Sequence, residues 1–451
     1  MRTDPDNPVR SALFTDLYEL AMARAYDAGA MEERAVFELF FRELPPERNY
    51  VISCGLEDAL AFLEGMHFSE SDLEYVRNLG LFDDLFVDRL RGLRFTGDVF
   101  AVPEGTVIFP SEPALQIDAP IIEAQLAETY LINQIHFQSM IATKASRIVT
   151  AADGRDLVEF GARRAHGTDA ALKAARASYI AGFQGTSNLL AGKRYGIPVF
   201  GTMAHSYIQA HDRELDSFRN FARCFPETTL LVDTYDILDG IHNVISLARE
   251  MGDDFSVRAI RIDSGDLGAA AVAARRLLDE AGLRSVKILA SGDLDETAIQ
   301  ALAGAGGSGD ASGGSGAPID AFGVGTRLVT SEDSPTLEFV YKLAEYAGRP
   351  RRKLSRNKAT IPGRKQVFRR VRNGRLAGDV IGLHSETLEG ERLLVPVMQN
   401  GKRVHAGAEE LERVRERARR EIERLPADIR ALRKADHPYP VNLSDLIAAT
   451  R

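Results

Sequence analysis

The chain has too few cysteines to be held together by them. Cys54 and Cys224 are its only two and lie far apart. They offer neither a disulfide framework nor the paired spacing of a structural zinc site. They fit a reducing cytosol. A basic excess is missing as well: the formal net charge is −9. That argues against a nucleic-acid partner, while leaving room for local basic pockets that take phosphate. No apolar run approaches the ~20 residues needed to cross a bilayer, so no membrane partner is expected. The opening stretch MRTDPDNPVRSALF lacks the charged-then-apolar pattern of a secretory signal. The expected location is cytoplasmic.

Conventional nucleotide signatures are also absent. There is no G-x-x-x-x-G-K-[ST]. A literal G-x-G-x-x-G occurs at Gly304, Gly306 and Gly309, but it follows a helical pattern instead of a strand, so the context of a dinucleotide site is lacking. It lies inside GAGGSGDASGGSGAP (304–318), which reads as a flexible Gly/Ser insertion in a surface loop.

What remains is the composition of an ordinary soluble globular protein, 451 residues with 45% hydrophobic and 27% charged. Two or three domains are expected. Three regions are expected: 1–118, 119–334 and 335–451. In the first, TDLYELAMARAYDAG predicts a helix with Thr15 or Asp16 as N-cap and Gly29 near its end. RAVFELFFRELP predicts a strand, and residues 98–118 predict short antiparallel strands. A long helical pattern follows over 120–148.

The middle region repeats short apolar runs, each followed by a helical pattern. They are 156–161, 197–202, 230–235, 257–263, 286–291 and 320–326. From the second onward they start roughly 30 residues apart, the length of one βα unit. Such runs imply a parallel sheet covered on its faces. Six units favour a (β/α) barrel over an open sheet, although periodicity alone does not decide closure. Polar residues and glycines gather where the runs end: Phe160, Gly161 and Arg163; Thr202 and His205; Asp233; Arg261 and Asp263; Ser291, Gly292 and Asp293; Gly323, Gly325 and Arg327. In β/α barrels that end carries the chemistry.

In the last region, a basic run at 349–370 suggests a phosphorylated ligand in an otherwise acidic protein. Residues 407–435 predict a charged amphipathic helix with i,i+4 ion pairs on a solvated face.

These elements together resemble the nicotinate phosphoribosyltransferase family. The resemblance is carried, in order, by FTDLYELAMARAY (14–26), AVFELFFRELP (35–45), EFGARRAHGTDAAL (159–172), AGFQGTSN (181–188), GTMAHSYIQ (201–209), LLVDTYD (230–236), RIDSGDL (261–267), FGVGTRLVTS (322–331) and VYKLAE (340–345). It implies an α/β fold: an irregular (β/α) barrel of the type II phosphoribosyltransferase kind, with a second α+β domain built from the N- and C-terminal segments. It implies joining nicotinate to phosphoribosyl pyrophosphate, giving nicotinate mononucleotide and pyrophosphate, coupled to ATP hydrolysis with Mg2+.

The same resemblance implies the roles. His205 would be phosphorylated by ATP, since a neutral imidazole is a good nucleophile and the P–N bond is labile. Asp233 and Asp263 would lie near ribose hydroxyls and magnesium, with the metal ligands themselves left open. Arg261 would meet phosphate or orient its neighbours. Thr202, Thr326, Gly292, Gly323 and Gly325 would surround the phosphorylated substrate, the glycines by exposing backbone N–H groups. Phe160 would stack on the pyridine ring and Arg163 would pair with its carboxylate. Nicotinamide-using relatives carry an aspartate at the position of Ser187; a serine can donate to a carboxylate and adds no charge. Tyr18 and Asp16 resemble residues supplied by a neighbouring subunit, which implies a homodimer with shared active sites. Met203 and Tyr207 depart from the residues many relatives carry. The alternatives are a nicotinamide- or quinolinate-using relative and a non-catalytic nucleotide-binding protein of the same fold.

Overall fold

The computed structural model describes residues 11–304, 316–355 and 358–449. The chain forms two compact units. One runs to Thr143 and resumes at Ser334; the other is Lys144–Asp333. The first boundary therefore lies well beyond the expected 118. Strand Leu115–Pro120 pairs with Arg34–Phe41, and helix Ile121–Leu126 packs on helix Leu17–Ala28, so these segments stay with the N-terminal part. The expected long helix is two: Ile121–Leu126 and Glu128–Ala152. Most of the Gly/Ser insertion, 305–315, lies outside the described residues.

The first unit is built on a seven-stranded sheet whose pairings are all antiparallel. One interior strand, Arg34–Phe41, lies between Leu115–Pro120 and Phe339–Tyr346, so the N- and C-terminal segments share one sheet. That strand is buried along nearly its whole length. A strand with partners on both sides and cover on both faces need not alternate polar and apolar residues. Helix Leu17–Ala28 starts after Asp16 in extended conformation and ends at Gly29, whose N–H donates to Ala25 O.

The charged C-terminal pattern is not one helix. It divides into Leu411–Arg424 and Ala427–Arg430 at Pro426, which lacks the N–H a helix interior needs. Its solvated face carries the expected pairs, such as Arg419 with Glu423. Its inner face holds Glu421, 2.8 Å from the fully buried Arg369. Arg369 also meets Asp379 at 2.6 Å and lies 3.9 Å from Glu112.

The second unit holds a six-stranded sheet in the order Gly185–Thr186, Asp156–Glu159, Ala321–Val324, Lys287–Ser291, Ala259–Ile262, Thr229–Leu231. Every pairing is parallel. Five of the six expected runs form its strands. The run at 197–202 contributes only a single parallel bridge, Thr186 to Val199. The strand it pairs with, Gly185–Thr186, has no apolar signature of its own. Its place follows from neighbours on both sides: Val158–Gly185 in one ladder and Val199 at the other edge. The ladder ends at Val199 on one side and at Thr229–Leu231 on the other, and no backbone pairing among the described residues closes it, so the expected barrel is irregular.

Candidate active site

Because all six strands run the same way, their C-terminal ends open on one side, and the residues that follow them are brought together there. Arg261 sits at the centre. Its Nε donates to Ser291 Oγ at 2.9 Å, one Nη to Thr202 Oγ1 at 3.0 Å and the other to Asp263 Oδ1 at 2.8 Å. Its guanidinium lies 5.8 Å from the centre of the Phe160 ring. One side chain thus links the ends of four segments of the sheet. A planar fork of five donors suits this task; a lysine would not.

Asp263 accepts from Arg261 and also from Ser291 Oγ. Burial opposes its ionisation, yet the hydrogen bonds from Ser291 and Arg261 and the nearby positive charge outweigh it. Its carboxyl is held below the ordinary carboxylate value. The other oxygen lies 3.9 Å from His205 Nε2. The opposite ring nitrogen, Nδ1, is 3.1 Å from Thr234 Oγ1. His205 begins the short helix His205–Gln209 and keeps its side chain 40% exposed, so its ring is oriented but reachable.

Asp233 is nearly buried. Its Oδ2 accepts from the Asp263 N–H at 3.0 Å and from Ser264 Oγ at 2.6 Å. Its Oδ1 is buried without a hydrogen-bond partner. A buried acceptor left unsatisfied is costly and points to a ligand. No group of three or more His, Cys, Asp or Glu suited to a metal occurs among the described residues. Two carboxylates remain a sufficient protein contribution for Mg2+, which keeps waters and substrate phosphates as its other ligands.

Two glycines here are required by geometry. Gly292 has φ +100°, and a Cβ on it would lie 2.1 Å from Asp263 O. A Cβ on Gly323 would lie 2.4 Å from the Phe160 ring. Gly323 is therefore small because Phe160 lies on it, a reason distinct from the phosphate approach expected of it. Gly325 has no such crowding, and the helix Thr326–Thr330 starts directly after it.

Phe160 is half-buried, while Arg163 and Ser187 are exposed. Neither Arg163 nor the Ser187 hydroxyl has a partner among the described residues, which leaves a free cation and a free donor on the segments that follow these strands. Asp16 and Tyr18 belong to the other unit. There Asp16 accepts from Thr129 Oγ1 at 2.6 Å, and Tyr18 is 49% exposed. Burial, then the charges of Glu128 and Glu19, push the Tyr18 phenol well above its ordinary value, so it stays neutral.

Sequence reasoning placed no role on Thr234, Ser291 or Glu159. Ser291 was visible as a polar strand end. Thr234 and Glu159 lie inside recognisable motifs, but His205 and Thr186, to which they bond, come from other segments. The basic run behaves differently from expectation. Lys365 lies 2.6 Å from Glu38, Arg364 pairs with Asp118 at 3.2 Å, and Arg369 meets Asp379. These three cations are neutralised inside the first unit.

Similarity to known proteins extends over most of the chain. Residues 13–136 match the model of the nicotinate phosphoribosyltransferase N-terminal domain, 156–349 that of the nicotinate phosphoribosyltransferase family, and 385–451 that of the corresponding C-terminal domain. A nicotinate phosphoribosyltransferase of Mycobacterium tuberculosis is 55% identical over 436 residues, covering 97% of this chain and 92% of that protein. One of Bacillus subtilis is 44% identical over 394 residues, covering 85% of this chain and 78% of that protein. The crystal structure of human nicotinic acid phosphoribosyltransferase superposes with a TM-score of 0.85 at 29% identity, covering 97% of this chain and 99% of that one.

Proposed function

The chain belongs to the nicotinate phosphoribosyltransferase family of NAD salvage, and from that premise we propose that it couples nucleotide formation to ATP through His205. The observation that carries this reading is the placement of His205. Its ring is tied at Nδ1 to Thr234, stands beside the Asp263 carboxylate, and remains open to a ligand.

In this reading a ring nitrogen of His205 attacks the γ-phosphorus of ATP and ADP leaves. The phosphohistidine adds negative charge near the departing pyrophosphate and favours the bound state of phosphoribosyl pyrophosphate. Its hydrolysis to phosphate resets the ring. During transfer, the C1–O bond to pyrophosphate breaks as the pyridine nitrogen bonds to C1, with positive charge developing on the ribose. Asp233 and Asp263 would hold Mg2+, which supplies charge neutralisation for the pyrophosphate; the unpartnered Asp233 Oδ1 fits that role. Arg261 orients Asp263 and Thr202 and adds a fixed positive charge at the centre of the site. Thr202, Thr326, Gly292, Gly323 and Gly325 line the side taken by the phosphorylated substrate.

The base would lie on Phe160, with its carboxylate paired to Arg163 and accepting from Ser187. A free guanidinium and a neutral hydroxyl favour the acid over the amide. We assign Asp16 and Tyr18 to completion of the site in a homodimer, where the partner subunit's Tyr18 covers the second ring face. Phe14 and Leu17 beside it are also exposed, as an apolar contact surface would be. The location proposed is cytoplasmic; no helix among the described residues is long and apolar enough to cross a membrane.

The test is to supply phosphoribosyl pyrophosphate, Mg2+ and ATP with nicotinate or nicotinamide, following mononucleotide and ADP, with H205A alongside. Product from nicotinate alone, with ADP release lost in H205A, is the expected result. Preference for nicotinamide would overturn the reading of Ser187. ADP release persisting in H205A would overturn the role of the histidine.

A further inference from the structure

The most confined charge near the site is one that the mechanism above does not use. Glu159 ends the strand Asp156–Glu159 and is fully buried. No cation is bonded to it among the described residues. Burial pushes its carboxyl up, and bonds from Thr186 and Gly161 only partly offset that. A buried carboxylate without a cation is expensive, so its bonds must hold it in place.

Those bonds run to the loop after its own strand and to the end of the neighbouring strand. One carboxylate oxygen accepts from the Gly161 N–H, in the loop that carries Phe160 and Arg163. The other accepts from Thr186 Oγ1 at 2.5 Å, at the end of the strand Gly185–Thr186 that leads into Ser187. Thr186 Oγ1 in turn accepts from the Asn188 N–H at 3.0 Å. The Glu159 backbone carbonyl accepts from the Ser187 N–H at 2.9 Å. Ser187 is therefore held at its own amide and on both flanks by bonds that lead back to Glu159.

We propose that Glu159 is the positioning residue of the base pocket: by bridging Gly161 and Thr186 it sets the spacing between the loop of Phe160 and Arg163 and the loop of Ser187. This rests on the reading of Phe160, Arg163 and Ser187 as the nicotinate pocket. Glu159 itself touches no substrate. It acts by fixing the distance between the guanidinium and the hydroxyl that grip one carboxylate. The residues around phosphoribosyl pyrophosphate, Asp233, Arg261 and Asp263, make no bond to it.

Three variants test this. E159A cuts both bridges. E159Q can keep them: its oxygen accepts from Gly161, and its amide donates to Thr186 Oγ1, whose hydroxyl can turn. E159D keeps the charge but is one methylene short. E159A is expected to raise the KM for nicotinate at least about tenfold while the KM for phosphoribosyl pyrophosphate changes less than about twofold. E159Q is expected to restore the nicotinate KM, with E159D between the two. If E159A does not fold, the contrast between E159Q and E159D decides: a normal KM in E159Q and a raised one in E159D supports the bridge. Equal increases in both KM values, or failure of E159Q to restore nicotinate binding, would overturn the proposal. R163A, run in parallel, separates the two levels. If R163A raises the nicotinate KM and E159A does not, the pocket stands and the role of Glu159 falls. If neither moves it, the pocket reading itself fails and takes the role of Glu159 with it.

Discussion

His205 Nδ1 lies 3.1 Å from Thr234 Oγ1, and this contact joins the two ends of the parallel sheet. His205 follows the Val199 bridge at one edge, and Thr234 follows Thr229–Leu231 at the other. Where the backbone ladder ends, a side-chain hydrogen bond brings the edges together, and the bridging residue is the proposed nucleophile.

Removing that bond should loosen the ring without emptying the site. T234V keeps the shape and loses the hydroxyl. A bond of about 1 kcal/mol corresponds to about fivefold in rate. ATP-dependent turnover is expected to fall by that order, with T234S close to the parent. ADP release per mononucleotide formed is the measurement; an unchanged ratio and rate in T234V would remove Thr234 from the mechanism.

Arg261 should tolerate no replacement. R261K keeps the charge but cannot reach Ser291, Thr202 and Asp263 together. Loss of charge-assisted bonds costs about 1.5–3 kcal/mol each, so kcat/KM for phosphoribosyl pyrophosphate should drop at least about tenfold in R261K. Steady-state kinetics beside a circular dichroism spectrum would show whether the loss is local.

G323A should damage the base pocket through Phe160. The added methyl would meet the ring at 2.4 Å, and the ring must leave its place. Overpacking of this kind costs about 1–3 kcal/mol. A lower melting temperature and a raised nicotinate KM are expected together. A raised KM for phosphoribosyl pyrophosphate alone would contradict the packing argument.

The first unit should lose stability as pH rises above the ordinary glutamate range. Burial, then the charge of Asp379, push the Glu112 carboxyl well above its ordinary value, while Arg369 opposes the shift. A raised folded value means that the folded chain holds a proton the unfolded chain releases. The contribution is full below the ordinary glutamate value and is lost as pH rises through the folded value. E112Q removes the titration. Melting temperatures between pH 5 and 8 should therefore fall more steeply in the parent than in E112Q; parallel curves would rule Glu112 out as the cause.

Local pattern determined much of this protein. Apolar runs at regular spacing specify strands and helices because each run must be covered, and the runs at 156–161, 230–235, 257–263, 286–291 and 320–326 each supplied a strand. Since parallel strands expose one common end, Phe160, His205, Arg261 and Asp263 could be grouped from the sequence order alone. Other features depended on partners far away in the chain. The run at 197–202 supplied one bridge instead of a strand, because Gly185–Thr186 presented the edge it could meet. The cations at 364–369 turned inward because Glu38, Asp118 and Asp379 were waiting beside them. Glu159 gained its second partner, Thr186, only because the strand Gly185–Thr186 lies beside its own. Spacing along the chain carries the periodic burial of an element. Only the tertiary structure brings a donor to a particular acceptor, and so only it decided which charges serve the fold and which stay free for a ligand.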